Sequence, residues 1–94
     1  MSARRPIRTT EEISTYIRSL YPALKKRIHN ALDQIRKQPG EGKPIQRELS
    51  GYRSFRIGKF RIIYRVTTKE IEIVAVGPRR TIYEETTKLM EKQE

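Results

Sequence analysis

Arg56, Arg61, Arg79, Arg80 and Tyr83 are the side chains whose types and spacing could do chemistry together. A guanidinium is a planar fork of N–H donors that stays charged, with a pKa above about 12, and it grips the oxygens of a phosphate or carboxylate two at a time. Four such forks make a site for an anion. The positions are spread along the chain, so this reading depends on elements that would carry them to one place.

Those elements are two hairpins between Tyr52 and Tyr83, in the stretch YRSFRIGKFRIIYRVTTKEIEIVAVGPRRTIY. Gly58-Lys59 is a two-residue turn with glycine first, the type II′ preference, between runs rich in β-branched and aromatic residues. It sets Ile57 opposite Phe60, Arg56 opposite Arg61 and Phe55 opposite Ile62. A second turn within Thr67 to Glu70 sets Val66 opposite Ile71, Tyr64 opposite Ile73 and Ile62 opposite Ala75. Side chains alternate across a strand. One face is therefore predicted to hold Phe55, Ile57, Phe60, Ile62, Tyr64, Val66, Ile71, Ile73 and Ala75, the core side. The other is predicted to hold Tyr52, Ser54, Arg56, Arg61, Ile63, Arg65, Glu72, Val74 and Val76.

On that second face Arg65 falls opposite Glu72 and reads as a cross-strand ion pair. Arg61 falls between Arg56 and Val76, with no acid directly across from it. Like charges directly opposite are destabilising, so a sequence that keeps Arg56 against Arg61 implies an anion between them. Gly77-Pro78 ends the last strand at the same edge and delivers Arg79 and Arg80 beside the first two. Tyr83 reads either as a packing residue or as a phenol within reach of the same anion.

A sheet with one apolar face needs a cover, and the N-terminal half supplies it. Thr9-Thr10-Glu11-Glu12 is a capping box, Thr9 as N-cap and Glu12 at N3. Ile13, Tyr16, Ile17, Leu20, Leu24, Ile28, Ala31, Leu32 and Ile35 follow, mostly at spacings of three and four, as one apolar stripe. Pro22 suits the first turn of a helix and divides the stripe into a helix near residues 10–20 and another near 22–37. Residues 1–8 form a tail or a short edge strand through Ile7. Pro39 to Pro44 is a turn-rich connection. Residues 84–94 form a C-terminal helix or tail with only Leu89 and Met90 to bury. The expected fold class is α+β: one domain over residues 1–94, a small twisted antiparallel sheet with a helical hairpin on one face.

Ninety-four residues support one modest core. With 21 Lys and Arg against 11 Asp and Glu the net charge is +10, and from Leu49 to Lys69 every ionisable side chain other than tyrosine is basic. Such a chain expects a polyanion or an acidic partner. Cysteine is absent, which excludes disulfides, thiolate metal sites and a cysteine nucleophile. No apolar run approaches the roughly 18 residues of a membrane helix, and the N-terminus lacks the apolar segment of a signal peptide. A soluble, cytoplasmic protein without membrane association is expected.

His29, the single histidine, lies mid-helix with Asp33 one turn on, an ordinary helical neighbour, and reads as structural. Nothing has metal-ligand spacing, so no metal is expected. Gly40-Glu41-Gly42 lacks the lysine-serine ending of a phosphate loop. No small-molecule cofactor is expected. Tyr16 and Tyr21 read as core or helix-boundary residues.

A helical hairpin followed by Leu49-x-Gly-Tyr-Arg-x-Phe-Arg-Ile-Gly-x-Phe-Arg-Ile-Ile-Tyr and then Val76-Gly-x-Arg-Arg-x-Ile-Tyr83 resembles the RelE/ParE toxin family of type II toxin-antitoxin systems. The resemblance runs from about Ile7 to Tyr83. It implies two helices on one face of the sheet and a concave basic face on the other. It also implies a cognate antitoxin as partner, and growth inhibition either by cutting messenger RNA on the ribosome, as RelE-type members do, or by poisoning DNA gyrase, as ParE-type members do.

Carried over by position, Arg61 matches the arginine that RelE-type toxins place on the scissile phosphate. Arg56 resembles a basic residue of the preceding strand, Arg79 or Arg80 an arginine after the last strand, and Tyr83 the C-terminal tyrosine. Arg53, Ser54, Lys59 and Arg65 are expected to contact RNA around them. The chain departs from RelE in having Ser54 and Arg56 where RelE has two lysines, and no histidine precedes Tyr83. Cleavage without a metal would use the RNA 2′-hydroxyl as nucleophile and form a cyclic phosphate, which needs charge stabilisation, a base and an acid. Arginine supplies the first. Tyr83, with an ordinary pKa near 10, is the base best favoured by surrounding guanidiniums, ahead of Glu84 or Glu85. The expectation is a metal-independent endoribonuclease that inhibits translation, with mRNA and the ribosome as partners. The other readings are a non-catalytic gyrase inhibitor, or a relative that only binds RNA or antitoxin.

Overall fold

Thr10, rather than Thr9, caps the first helix of the computed structural model, which describes residues 5–45 and 50–78. Thr10 is extended, and its Oγ1 accepts a hydrogen bond from the Ile13 N–H at 3.2 Å. Thr9 Oγ1 meets Ser14 Oγ at 2.7 Å instead, so the predicted cap moves one residue along. Helix α1 then spans Glu11–Arg18, and α2 spans Pro22–Lys37. Pro22 sits at the first position of α2, where its missing N–H would have had no helical partner. Acidic Glu11 and Glu12 open α1, and basic Arg36 and Lys37 close α2, the charges that suit each end of a helix dipole. No helix among the described residues is long and apolar enough to cross a membrane.

The five strands are β1 (Ile7–Arg8), β2 (Lys43–Pro44), β3 (Arg53–Ile57), β4 (Phe60–Val66) and β5 (Ile71–Pro78). They lie in the order β1-β5-β4-β3-β2. The predicted antiparallel sheet is in fact mixed, because Ile7 takes the edge-strand option and β1 runs parallel to β5. The Ile71 N–H donates to the Pro6 carbonyl at 2.9 Å, and Arg8 pairs with Glu70 at 3.1 Å, which covers an edge of β5 that would otherwise be open. At the far edge β2 is short and contains Pro44, as edge strands tolerate.

Both hairpins turn where the sequence places them. Gly58 has φ 56°, the left-handed conformation that its position in the turn demands, and Ile57 pairs with Phe60, Arg56 with Arg61 and Phe55 with Ile62. At the second turn Thr67 Oγ1 accepts from the Lys69 and Glu70 N–H groups at 3.3 and 3.0 Å. Val66 pairs with Ile71, Arg65 with Glu72 and Tyr64 with Ile73.

The register then slips. Ile63 pairs with Ala75 and Ile62 with Val76, leaving Val74 as an extra residue on β5, the arrangement of a β-bulge. The predicted Ile62–Ala75 pair does not form. Val76 packs with the core beneath the helices, and Ala75 packs on the other face with Ile63.

The main core joins Ile17, Ile28, Ala31 and Ile35 of the helices to Ile57, Ile62, Tyr64, Ile71 and Ile73 of the sheet. Helix α2 lies over β3 and α1 over β5. A second, smaller cluster occupies the opposite face: Ile63 and Ala75 are buried, with Ile45, Tyr52 and Val74 around them.

Candidate functional site

On the face of the sheet turned away from the helices, alternation along β3 and β4 sets Ser54, Arg56 and Arg61 side by side. Ser54 is buried, and its Oγ accepts a hydrogen bond from Arg61 Nη1 at 2.9 Å. A hydroxyl fixed in this way orients the guanidinium. Ser54 was expected to contact RNA; at 3% exposure it supports Arg61 instead. Arg56 stands directly opposite Arg61 across the ladder, as predicted, and is exposed, its Nε 3.5 Å from the Gly58 carbonyl.

The bulge changes the other flank of Arg61. The unshifted register would have put Val76 there, whereas the observed partner is Gly77. Val76 has turned into the core, so a residue without a side chain borders the arginine on that side. This replacement of Val76 by Gly77 beside Arg61 could not be read from the hairpin count. The departure from strict alternation in Ile62-Ile63-Tyr64 and Val74-Ala75-Val76 was its available signal, because strands that are apolar on successive residues are buried on both faces.

The remaining sequence candidates divide. Arg65 binds Glu72, with Nε 3.0 Å from Oε1, and its guanidinium carbon lies 5.5 Å from the centre of the Tyr52 ring. The carboxylate of Glu72 pushes the Arg65 pKa above its ordinary value. Arg65 is thus held as a structural ion pair, the reading its register favoured. Arg53 falls with Phe55 and Ile57 by alternation and so points to the helix side. Its Nη1 donates to the carbonyls of Gly42 at 2.7 Å and Gly40 at 3.2 Å, which fastens the connection after α2 and separates it from Arg61. Lys59 is exposed at the tip of the first hairpin. Arg79, Arg80 and Tyr83 lie outside the described residues, as do Glu84 and Glu85.

His29 is exposed on α2. Asp33, named as its neighbour, is engaged elsewhere: Arg36 lies at 3.0 Å and Lys37 at 3.2 Å from its two oxygens. Lys37 first, then Arg36, holds the Asp33 carboxyl below its ordinary pKa. Tyr16 is half-buried, and Tyr21 is a helix-boundary residue, 77% exposed at the N-cap of α2. The Gly40-Glu41-Gly42 segment has a structural role that sequence reading missed. Tyr64 Oη donates to the Pro39 carbonyl at 2.7 Å and accepts from the Gly42 N–H at 2.9 Å. A Cβ on Gly42 would stand 2.5 Å from that hydroxyl, so glycine is needed for the close approach.

The geometry is that of a charge-rich strand pair on a rigid scaffold, with one oriented guanidinium at its centre. It suits an oxyanion. The family model described as the ParE toxin of type II toxin-antitoxin system matches residues 7–83. Among solved structures, the toxin-antitoxin complex RelBE2 from Mycobacterium tuberculosis has a chain 27% identical, with TM-score 0.71, covering 82% of this chain and 100% of its own. A mutant of Escherichia coli toxin RelE in the free state shares the fold at TM-score 0.75 and 14% identity, covering 97% of this chain and 98% of its own. The YoeB-YefM complex from Staphylococcus aureus gives TM-score 0.64 at 23% identity, over 79% of this chain and 95% of its own. No curated protein sequence matches the chain.

Proposed function

The chain belongs to the RelE/ParE family, the toxins of type II toxin-antitoxin systems, and from that premise we propose that it inhibits translation by cutting messenger RNA on the ribosome. The observation that carries this reading is the setting of Arg61. Its guanidinium is tethered to the buried Ser54 hydroxyl, faces Arg56, and is bordered by Gly77. A fixed, always-charged donor of this kind stabilises charge that develops on a phosphoryl group.

In the proposed reaction the RNA 2′-oxygen attacks the adjacent phosphorus and the bond to the 5′-oxygen breaks. A 2′,3′-cyclic phosphate and a 5′-hydroxyl result. Arg61, with Arg56, Arg79 and Arg80, neutralises the phosphoryl oxygens as charge builds. Tyr83, in its phenolate form, takes the 2′-hydroxyl proton, and solvent returns a proton to the leaving 5′-oxygen. The cognate antitoxin brings an apolar helix and acidic residues to the basic face or the helical hairpin. RelBE2 and YoeB-YefM, both toxin-antitoxin complexes, support such a partner.

A gyrase inhibitor is the second reading, favoured by the name of the matching family model. Induced expression distinguishes the two when messenger RNA 5′ ends and gyrase-linked DNA breaks are mapped in the same cells. New 5′ ends without breaks are expected, and breaks without new ends refute ribonuclease action. Arg61→Ala should remain folded and lose toxicity, with cleavage down about 10²–10³-fold, the usual cost of removing one transition-state donor. A toxic Arg61→Ala protein removes Arg61 from the mechanism.

A further inference from the structure

Two guanidiniums converge at the tip of the first hairpin, beside Lys59, and no carboxylate among the described residues pairs with any of the three. Arg27, from α2, reaches across the helical layer until its Nη2 lies 3.2 Å, and its Nη1 3.7 Å, from where a Cβ on Gly58 would stand. Arg56 comes to the same residue from β3, its Nε 3.5 Å from the Gly58 carbonyl. Lys59 is the next residue of the turn, and all three side chains are exposed. The described ion pairs use Arg8, Arg36, Lys37 and Arg65 instead. Two guanidiniums at one glycine, with a lysine next in the turn, repel each other, and a bound anion offsets that repulsion.

We propose that this tip is a second phosphate-binding site, which holds the RNA backbone a short distance from the phosphate at Arg61. Arg56 belongs to both places: it stands opposite Arg61 in the ladder and leans on Gly58 at the turn. The cations Arg61, Arg56, Lys59 and Arg27 therefore form one line from the open face, around the tip, to α2. A ribose-phosphate chain carries one charge per nucleotide and can bend to follow such a line. An acidic protein segment fits less well, because partner helices anchor through apolar side chains and the exposed residues of the tip, Arg27, Arg56, Gly58 and Lys59, offer none. Gly58 is part of the site: its left-handed φ of 56° and bare Cα let the Arg27 guanidinium close over the turn.

This inference rests on the RNA-cutting reading, and its test separates the two. The probe is a fluorescent single-stranded 2′-O-methyl oligoribonucleotide, which keeps the phosphates and cannot be cut. Its binding is followed by anisotropy across a range of KCl concentrations for the full chain, Arg27→Gln, Lys59→Gln, the double variant and Arg61→Ala. Loss of one phosphate contact to a single strand lowers the slope of log K against log salt by about 0.7. Arg27→Gln and Lys59→Gln should each lower it by about that amount and the double variant by about twice it. Single-turnover cleavage at saturating ribosomes should fall far less in these three variants than in Arg61→Ala.

Slopes equal to wild type, or no binding of the wild-type protein even at low salt, overturn the tip site. An acidic peptide whose affinity falls in the tip variants while RNA binding holds assigns the tip to a protein partner and overturns it as well. If instead the slopes fall as expected but Arg61→Ala still cuts, the tip site stands and the assignment of Arg61 fails.

Discussion

Tyr64 carries more of the scaffold than its place in an alternating strand suggests. Fully buried on β4, its hydroxyl bridges the Pro39 carbonyl and the Gly42 N–H, and so ties the connection after α2 to the centre of the sheet. Burial pushes its phenol pKa above the ordinary value. A group whose folded pKa is raised contributes stability that is whole below the unfolded value, about 10, and is lost as pH rises through the folded value. Tyr64→Phe should cost about 1–3 kcal/mol near neutral pH, since it strands a buried donor and a buried acceptor. It should also flatten the alkaline loss: from about pH 10 upward the thermal midpoint of wild type should fall more steeply than that of Tyr64→Phe. Parallel curves would remove Tyr64 ionisation from the account. Residue detail of this kind also sorts the arginines. Arg53 and Arg65 share the charge of Arg61, yet carbonyls and Glu72 hold them.

At the scale of elements the bulge in β5 decides how the open face is built. One extra residue, Val74, exchanges the facing of Ala75 and Val76, which fills the core under the helices and leaves glycine beside Arg61. The same shift helps to seal Ile63, which has no exposed surface. If Ile63 lay on a solvated face, as alternation alone predicts, Ile63→Ala would change stability by no more than about 0.5 kcal/mol. Its burial predicts a loss of about 2–5 kcal/mol, comparable with Ile28→Ala beneath the helices. Denaturant unfolding of both variants measures the difference, and a near-neutral Ile63→Ala would show that the second cluster is not packed.

Taken whole, the molecule is a small, strongly basic scaffold, +10 over 94 residues. Holding RNA in line for 2′-hydroxyl attack is worth roughly 7–11 kcal/mol of a barrier. On the proposed function, a ribosome that bends the message would supply that positioning, and the basic surface would grip ribosomal RNA through salt-sensitive contacts. Purified protein is therefore expected to cut naked RNA poorly and ribosome-bound message well. Tyr83→Phe should slow single-turnover cleavage without weakening ribosome binding, and added salt should weaken binding first. Fast cleavage of free single-stranded RNA by metal-free protein would refute this division of labour.

The two helices and the first hairpin were legible from the chain alone, because their signals are local, whereas β2 (Lys43–Pro44) lies in what read as a turn-rich connection. Pro22 divides the helices, Gly58 imposes a turn whose register follows by counting, and the stripe from Ile13 to Ile35 needs an apolar surface such as the sheet's core face to cover. Arg61 opposite Arg56, and Arg65 opposite Glu72, follow from those turns. What the chain did not yield depends on contacts between segments distant in sequence. The bulge at Val74 settles a competition between two faces that both have apolar residues to bury. Gly42 is explained only by a tyrosine 22 residues away, and β1 pairs with β5 because the other edge of β5 needs a partner. Arg27 is set against Gly58 only because α2 is packed over β3. Local sequence chooses the elements and their turns. Tertiary packing decides which of many identical charges are spent on the scaffold and which remain for a ligand, because that depends on which carbonyls and carboxylates the fold brings within reach.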